Sequence, residues 1–429
     1  MEATLILFAV FIVLLLMGVP IAISLGVSAM ATWTYMGDDV VHMVQIAYTS
    51  VDSFPIMALP SFVLAGALME WAGISKRLVN LAESLAGPMT GGLGTATILA
   101  CMFFGAISGS GPATTAAVGM LMIPAMTQRG YSKGYASAVT ASSGGLGVVI
   151  PPSIPMVIFG ITGNQSIATM FVAGVIPGIL LAGSLMVVNY FQSKKHGYRG
   201  LQDHWSTKEI GKAVKEGIWS ILAPIVILGG IYSGLFTPTE AAIVAVFYTL
   251  FVGIFIHKEL KPTGIIRSLE TTTWITGRVL IILFAAKAFG RLLVEYHIPD
   301  IIATALLSLT SNLFIIWALV IIFLLFVGMF METLATIMLV TPVLLPVMTQ
   351  FGVDPIHFGV VLVVCCEIGF QTPPLGDNLF IASGISKVSI EEISLRAIPF
   401  AIAAIIAVFI MAYIPSISLW LPTVAGYLN

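Results

Sequence analysis

Four segments combine glycine or proline with oxygen-bearing side chains inside long apolar stretches. The first two are G-A-I-S-G-S-G-P at 105–112 and G-L-G-V-V-I-P-P-S at 145–153. The other two are G-M-F-M-E-T at 328–333 and E-I-G-F-Q-T-P-P-L-G-D-N at 367–378. Glycine and proline interrupt helices, and the unwound backbone leaves carbonyl oxygens free to bind a cation such as Na⁺. The positive end of a half-helix suits a carboxylate.

The two halves of the chain resemble each other at a constant offset. P-A-M-T-Q-R-G at 124–130 matches P-V-M-T-Q-F-G at 346–352, and the same offset of 222 residues pairs Gly147 with Gly369. Any one of the four segments alone could serve helix packing, because small residues let membrane helices approach closely. Four such segments in register across a repeat favour a transport site instead.

The composition is that of a polytopic membrane protein. Of 429 residues, 58% are hydrophobic and 9% are charged, whereas soluble domains carry about 25% charged residues. The 18 basic and 20 acidic residues nearly cancel, which leaves no basic face for nucleic acid. Three cysteines in apolar stretches predict neither a disulfide framework nor a metal site. Stretches long enough to span a bilayer lie at 3–18, 20–37, 45–72, 134–162, 168–192, 218–236, 240–257, 272–294, 354–384 and 397–420.

Basic residues predict the orientation, because cytoplasmic loops are enriched in Lys and Arg. They flank the apolar segment 93–128, so it should enter and leave the membrane on the cytoplasmic side as a re-entrant hairpin. The segment 312–350 lies in a stretch without basic residues, so its hairpin should enter from the outside. Each half then makes five crossings, which inverts the second copy and leaves both termini periplasmic. Inverted repeats are typical of secondary transporters, with the binding site near the midplane.

The expected fold is therefore an all-α polytopic membrane protein with two inverted-topology repeats, each holding a re-entrant hairpin and a broken helix. The first repeat covers 1–192, the second 218–429, and a cytoplasmic linker at 193–217 joins them. Ile74, Leu78 and Leu85 recur at helical spacing, which predicts an amphipathic helix at 74–87. In an elevator-type ion transporter such a helix would be the arm between a fixed scaffold and a moving core. The expected parts are scaffold helices at 1–75, an amphipathic arm helix at 74–87, hairpins at 93–128 and 312–350, and broken helices at 134–162 and 354–384.

The motifs resemble those of the large membrane subunit of tripartite ATP-independent periplasmic (TRAP) transporters. The matching motifs are the S-G-S hairpin tip, G-L-G-x-x-I-P-P-S, A-G-x-x-P-G at 173–178, P-T-E-A-A at 238–242 and x-G-x-x-T-P-P-x-G. The resemblance implies Na⁺-coupled symport of an organic acid anion, sialic acid or a C4-dicarboxylate, by an elevator mechanism in the bacterial inner membrane. It implies two protein partners, a periplasmic substrate-binding protein and a separate small four-helix membrane subunit. No organic cofactor is expected.

The resemblance also implies at least two Na⁺ sites. The expected ligands of the first are Ser108, Ser110, Gly147, Ile150 and Pro152, mostly through backbone oxygens. The expected ligands of the second are Gly328, Thr333, Gly369, Thr372 and Pro374. The expected substrate contacts are Ser108, Thr114, Ser153, Asp377 and Asn378. The repeat is not symmetric at one position, because Ser110 corresponds by the offset to Glu332.

Other charged residues within the spans leave alternatives open. Glu332, Glu367 and Asp377 fall near the predicted midplane, where carboxylates are rare and usually functional. They could bind Na⁺ directly, or pair with a cation or with backbone donors.

Lys287 and Arg291 lie roughly 13 and 20 Å beyond Arg278 along one predicted helix. They could attract substrate, face the small subunit, or pair with Glu295.

Two other function classes compete with transport by a carrier. Ser108 before a glycine superficially resembles the nucleophile of an intramembrane serine protease, but such a nucleophile needs a general base within reach. Histidine occurs within the predicted spans only near their ends, at His357, close to the outer end of its span, and at His257, the last residue of the span 240–257. A broken-helix repeat could also build an ion channel, but two hairpins that enter from opposite sides favour a carrier.

Overall fold

A computed structural model of the chain describes residues 2–39, 41–52, 54–200, 205–373 and 376–428. This part of the chain forms 21 α-helices and no strand. A 3₁₀ turn, Phe54–Met57, precedes the fourth helix. The helices of the first half are α1 (Glu2–Leu16), α2 (Ile21–Met36), α3 (Val41–Val51), α4 (Ala58–Trp71), α5 (Ile74–Ala86), α6 (Gly92–Ser108), α7 (Gly111–Gln128), α8 (Lys133–Gly144), α9 (Leu146–Val149), α10 (Ile154–Thr162) and α11 (Ile167–His196).

The second half begins with a long helix and repeats the order of the first. A π-helical turn, Val252–Ile256, follows its second helix. The helices are α12 (Thr207–Tyr232), α13 (Pro238–Phe251), α14 (Pro262–Glu295), α15 (Ile298–Leu309), α16 (Leu313–Gly328), α17 (Thr333–Gln350), α18 (Pro355–Phe370), α19 (Asp377–Ser386), α20 (Ile390–Tyr413) and α21 (Ser416–Val424).

The repeat is visible in the helices themselves. α7 and α17 both have 18 residues and start 222 residues apart. α6 and α7 form hairpin 1, and α16 and α17 form hairpin 2. The broken helices are α8 to α10 in the first half and α18 with α19 in the second. We call these hairpins and broken helices the core, and α1 to α4 with α12 to α14 the scaffold.

The centre of the core is deeply buried. In α8, eleven of the 12 residues are buried, and the described side chains of α18 from Ile356 to Gly369 are all buried. Six described helices, or seven if the bent α8–α10 pair is one span, are long and apolar enough to cross a membrane. α14 has 34 residues, about 51 Å at 1.5 Å per residue, which exceeds the roughly 30 Å hydrocarbon thickness.

Four sequence-based expectations differ from the structure. The predicted span 45–72 is interrupted between α3 and α4, where Pro55 lies in the 3₁₀ turn. The predicted span 397–420 ends as α20, and α21 begins after Pro415. The expected linker 193–217 contains the end of α11, at His196, and the start of α12, which the Ser206 side chain caps. Two further expected spans, 3–18 and 20–37, are helices of 15 and 16 residues, shorter than a full crossing requires.

The arm helix has a counterpart that the sequence did not predict. α5 and α15 each follow a scaffold helix, and each begins after a left-handed residue, Gly73 at φ +71° and His297 at φ +54°. The start of α5 is attached to the scaffold, because Arg77 pairs with Glu259 at 2.9 Å. α15 contacts the core, where Gln350 donates to Asp300 at 3.0 Å.

Candidate functional site

The tip of hairpin 1 is a tight turn that gathers hydroxyl and carbonyl oxygens. Gly109 has a left-handed φ of +62°, which lets the chain reverse between α6 and α7. Thr114 Oγ1 lies 2.9 Å from Ser108 Oγ and donates to the carbonyl oxygen of Ser110 at 2.7 Å. The carbonyl oxygen of Gly109 accepts a hydrogen bond from the Ile154 amide at 3.3 Å. The tip therefore lies directly against the first broken helix.

The first broken helix bends by 42° at a break that contains Ile150 and Pro152. Ser153 caps α10 at the far side of this break. Gly147 approaches hairpin 1 without space for a side chain, since a Cβ on Gly105 would lie 2.6 Å from the Gly147 Cα atom. The predicted ligands of the first Na⁺ site therefore converge on one small region.

The second half repeats this close approach. A Cβ on Gly328 would lie 3.2 Å from the Cα atom of Gly369. Hairpin 2 turns after Gly328, and Thr333 begins α17. Thr372 lies in the break between α18 and α19, whereas Pro374 lies outside the described residues. The structure thus brings Gly328, Thr333 and Gly369 close together, with Thr372 at the adjacent break.

A buried carboxylate connects hairpin 2 with both sides of this break. Glu367 is 1% exposed and accepts hydrogen bonds from Gln371 at 3.2 Å, Asn378 at 3.1 Å and Thr333 at 3.5 Å. Among the described residues no basic side chain pairs with Glu367. The Asn378 Oδ1 atom is buried without a hydrogen-bond partner. Buried charge without a counter-charge is costly, so these oxygens suit a cation.

A cavity of about 250 Å³ lies between the two hairpin tips. Helices α4 and α14 of the scaffold complete its wall. The predicted site residues that line it are Ser108, Ser110, Thr333 and Asp377. The predicted substrate contacts that do not line it are Thr114, Ser153 and Asn378.

Charged side chains dominate the chemistry of this cavity. Arg278 of α14 is its one basic residue among the described lining, and it forms an ion pair with Glu332 at the tip of hairpin 2. The carboxylic acids that line the cavity are Glu70, Glu332, Glu367 and Asp377. Of the alternatives that the sequence leaves open for Glu332, the structure therefore shows pairing with a cation, the guanidinium group of Arg278.

Sequence reasoning did not single out Arg278 as a site residue. The available signal was its place at the middle of a 34-residue helix, because a charged residue at membrane depth usually faces a cavity and has a function. Its partner Glu332 is 54 positions away in the sequence, and only the fold brings the two together.

An open groove of about 1250 Å³ continues from the cavity. The two share Arg278, Glu332 and Asp377. The groove runs along the amino-terminal half of α14, from Ile266, and past Pro20 between α1 and α2. The cavity is thus reached from the side of the membrane at which α14 begins.

No histidine lines the cavity in the described part of the chain. His357 is held elsewhere, with its Nδ1 atom 2.6 Å from Ser418 Oγ and its Nε2 atom 3.2 Å from the carbonyl oxygen of Ala412. Ser108 consequently has no imidazole base within reach.

Comparisons with known proteins give matches over nearly the whole chain. The C4-dicarboxylate TRAP transporter large permease protein DctM of Rhodobacter capsulatus is 36% identical over 99% of this chain and 100% of its own. The sialic acid TRAP transporter large permease protein SiaM of Vibrio cholerae is 37% identical over 95% of this chain and 96% of its own. The isethionate TRAP transporter permease protein DctMQ of Oleidesulfovibrio alaskensis is 44% identical over 97% of this chain, which spans 66% of that relative's length.

The fold is also shared with a solved structure. The YdaH transporter of Alcanivorax borkumensis superposes with a TM-score of 0.65 over 90% of this chain and 89% of its own, at 14% identity. This likeness confirms the expected all-α polytopic transporter fold. Residues 8–417 match the family described as "Tripartite ATP-independent periplasmic transporter, DctM component". The chain therefore belongs to the DctM family, the large permease components of TRAP transporters, which are not enzymes.

Proposed function

We propose that this protein is the Na⁺-coupled symporter subunit of a TRAP transporter that imports a small organic acid anion. The observation that carries the proposal is the charge of the central cavity, which is lined by four carboxylic acids and one guanidinium group. With all four acids ionised, the net charge of the lining is −3. A lining with this charge would repel an anion, and Na⁺ bound beside the anion would offset the repulsion, which would couple acid uptake to Na⁺.

The oxygen ligands around the cavity fit Na⁺ rather than a transition metal. Within the described residues, no group of three or more His, Cys, Asp or Glu side chains is arranged to hold a metal ion. Hydroxyl and carbonyl oxygens at helix breaks are the ligands that transporters use for Na⁺. We assign the first site to Ser108, Ser110, Gly147, Ile150 and Pro152. We assign the second site to Gly328, Thr333, Gly369, Thr372 and Pro374.

Arg278 would bind the acid group of the substrate. A guanidinium group carries five N–H donors, so Arg278 can pair with Glu332 and still donate to a carboxylate or sulfonate. Ser108 and Asp377 line the same cavity and would contact the rest of the molecule. The named substrates of the relatives are isethionate, C4-dicarboxylates and sialic acid, all of them acid anions. We therefore assign the substrate to this class.

An elevator movement of the core against the scaffold fits the arrangement of the helices. Arms α5 and α15 would connect the two parts, one for each repeat. The distribution of basic residues would put the start of α14 in the cytoplasm, and the open groove beside the cavity would then face inward. Both termini would then be periplasmic, in a bacterial inner membrane. A periplasmic substrate-binding protein and a small four-helix membrane subunit would complete the transporter.

Uptake into lipid vesicles tests this proposal. The transporter, reconstituted with its small subunit and binding protein, should take up labelled isethionate, succinate or sialic acid when Na⁺ is present outside. Replacing Na⁺ by K⁺ should abolish uptake, and uptake that continues unchanged in K⁺ would contradict the proposal. Arg278→Gln should reduce uptake by about tenfold or more, because a charge-assisted hydrogen bond is lost. Arg267→Gln is the matched control, since Arg267 lies on the same helix over the ring of Trp71.

A further inference from the structure

A second cavity, of about 560 Å³, lies between the carboxyl-terminal half of α14 and the core. It is separate from the central cavity and shares no lining residue with it. The side chains that matter here are Lys287, Arg291 and Glu295 from α14, Met338 and Pro342 from α17, and Thr162 from α10.

The two cations of this cavity are unpaired among the described residues, although Glu295 lines the same cavity, and Arg291 is exposed. In the described part of the chain, Lys287 and Arg291 form no ion pair and no side-chain hydrogen bond, and neither pairs with Glu295. Lys287 is also partly buried. A cation that is withdrawn from water without a counter-charge is unfavourable, so the cavity is suited to an anion.

The position of these cations is unusual for a membrane protein. Lys and Arg concentrate on the cytoplasmic side, and α14 starts there. Lys287 and Arg291 lie in the opposite half of this helix, and the chain from 292 to 386 contains no basic residue. Basic residues that lie on the side opposite the cytoplasm and line a protein cavity indicate a function.

We infer that this outer cavity binds the acid group of a small organic anion before the anion reaches Arg278. The inference rests on the proposed function. α14 and α17 run side by side, since Arg278 pairs with Glu332 at one level and a Cβ on Gly290 would lie 3.2 Å from Pro342 further along. Lys287 is nine residues, or about 13 Å, beyond Arg278. A core that moves outward by that distance brings the hairpin tip to the level of Lys287, which lies about 180° around α14 from Arg278. A cation is then present at both levels, on two faces of the helix.

The site can be tested in the complete transporter by removing the positive charge of Lys287 and restoring it chemically. Lys287→Cys should raise the KM for isethionate and succinate by about tenfold, as expected when a charge-assisted contact is lost. The three native cysteines are fully buried, so the K287C thiol is the reactive one. Aminoethyl methanethiosulfonate, which adds an ammonium group, should restore uptake, whereas sulfonatoethyl methanethiosulfonate should not. Glu295→Gln, in the same cavity, removes a negative charge beside the bound anion and should lower the KM.

Protection of the K287C thiol from labelling reports binding at this site independently of transport. Isethionate or succinate should slow its labelling, and protection without any Na⁺-driven uptake by the wild type would uphold the site but refute the proposed function. Normal wild-type uptake with no protection, or equal rescue by both reagents, would overturn the inference alone. The assays are repeated in vesicles of phosphatidylcholine with and without phosphatidylglycerol. A K287C defect that appears only with phosphatidylglycerol would assign the cavity to a lipid phosphate and overturn the inference.

Discussion

Gly369→Ala should weaken Na⁺ binding at the second site by forcing hairpin 2 away from the broken helix. A Cβ at this position would lie 2.7 Å from the carbonyl oxygen of Leu325 and 2.8 Å from the Cα atom of Gly328. Both contacts are backbone atoms, so no side-chain rotation can relieve them. Carbon atoms in good contact are about 3.5–4.0 Å apart, so the two segments must separate by about 0.7 Å or more.

The expected loss follows from the cost of overpacking, about 1–3 kcal/mol. Because the proposed Na⁺ site needs this close approach, the cost appears in Na⁺ affinity, as a fall of about fivefold to 150-fold. The assay is the Na⁺ concentration that gives half-maximal uptake in vesicles. Gly384→Ala on α19 is the control, since a Cβ there meets no atom within 4 Å. If Gly369→Ala has the same half-maximal Na⁺ concentration as the wild type, the assignment of the second site is refuted.

Three further predictions concern thermal stability in detergent. Glu367→Ala should lower the thermal midpoint more than Glu367→Gln, because it leaves the buried donors of Thr333 and Asn378 without an acceptor, at about 1–3 kcal/mol for each, and also the half-buried donor of Gln371. Equal midpoints would contradict this. Glu259→Gln removes the partly exposed ion pair with Arg77 and should change the free energy of unfolding by less than about 1 kcal/mol. A fall of several degrees in the thermal midpoint would show that this pair stabilises the protein more strongly. Burial lowers the pKa of His257, so the folded protein binds fewer protons there and loses stability as the pH falls below the usual value of about 6.5. His257→Gln should make the midpoint less sensitive to acid, as measured between about pH 7 and pH 5.

The interruptions of the core helices could be predicted because their causes are local. Gly109 at the tip of hairpin 1 and Pro152 in the first broken helix each act on their own backbone. The structure interrupts its helices within all four segments that the sequence singles out. The repeat offset likewise requires no knowledge of tertiary structure, because it is carried by matching residues.

Features that depend on tertiary contacts could not be predicted. The predicted span 45–72 is mostly apolar, and a hydropathy criterion does not detect the 3₁₀ turn at Phe54–Met57. α15 is short and amphipathic, so it lacks the 20 apolar residues by which spans are recognised. The pairing of Arg278 with Glu332 joins two elements of the second repeat that no local pattern connects.

The two repeats build the same backbone but place different charges on it. The close glycine approach recurs in both halves, whereas Ser110 of hairpin 1 is replaced by Glu332 in hairpin 2. The scaffold also differs between the two repeats. In the second repeat α14 is continuous through Arg278, whereas the first repeat is interrupted between α3 and α4. The two proposed cation sites would therefore flank a cavity in whose described lining only the second repeat supplies a guanidinium group. This asymmetry would give the proposed acid anion one preferred orientation, with its acid group toward α14. Glu332→Ser, which restores the residue of the first repeat, should free Arg278 and raise the affinity for the acid while reducing its dependence on Na⁺; unchanged Na⁺ dependence of uptake would argue against this electrostatic account.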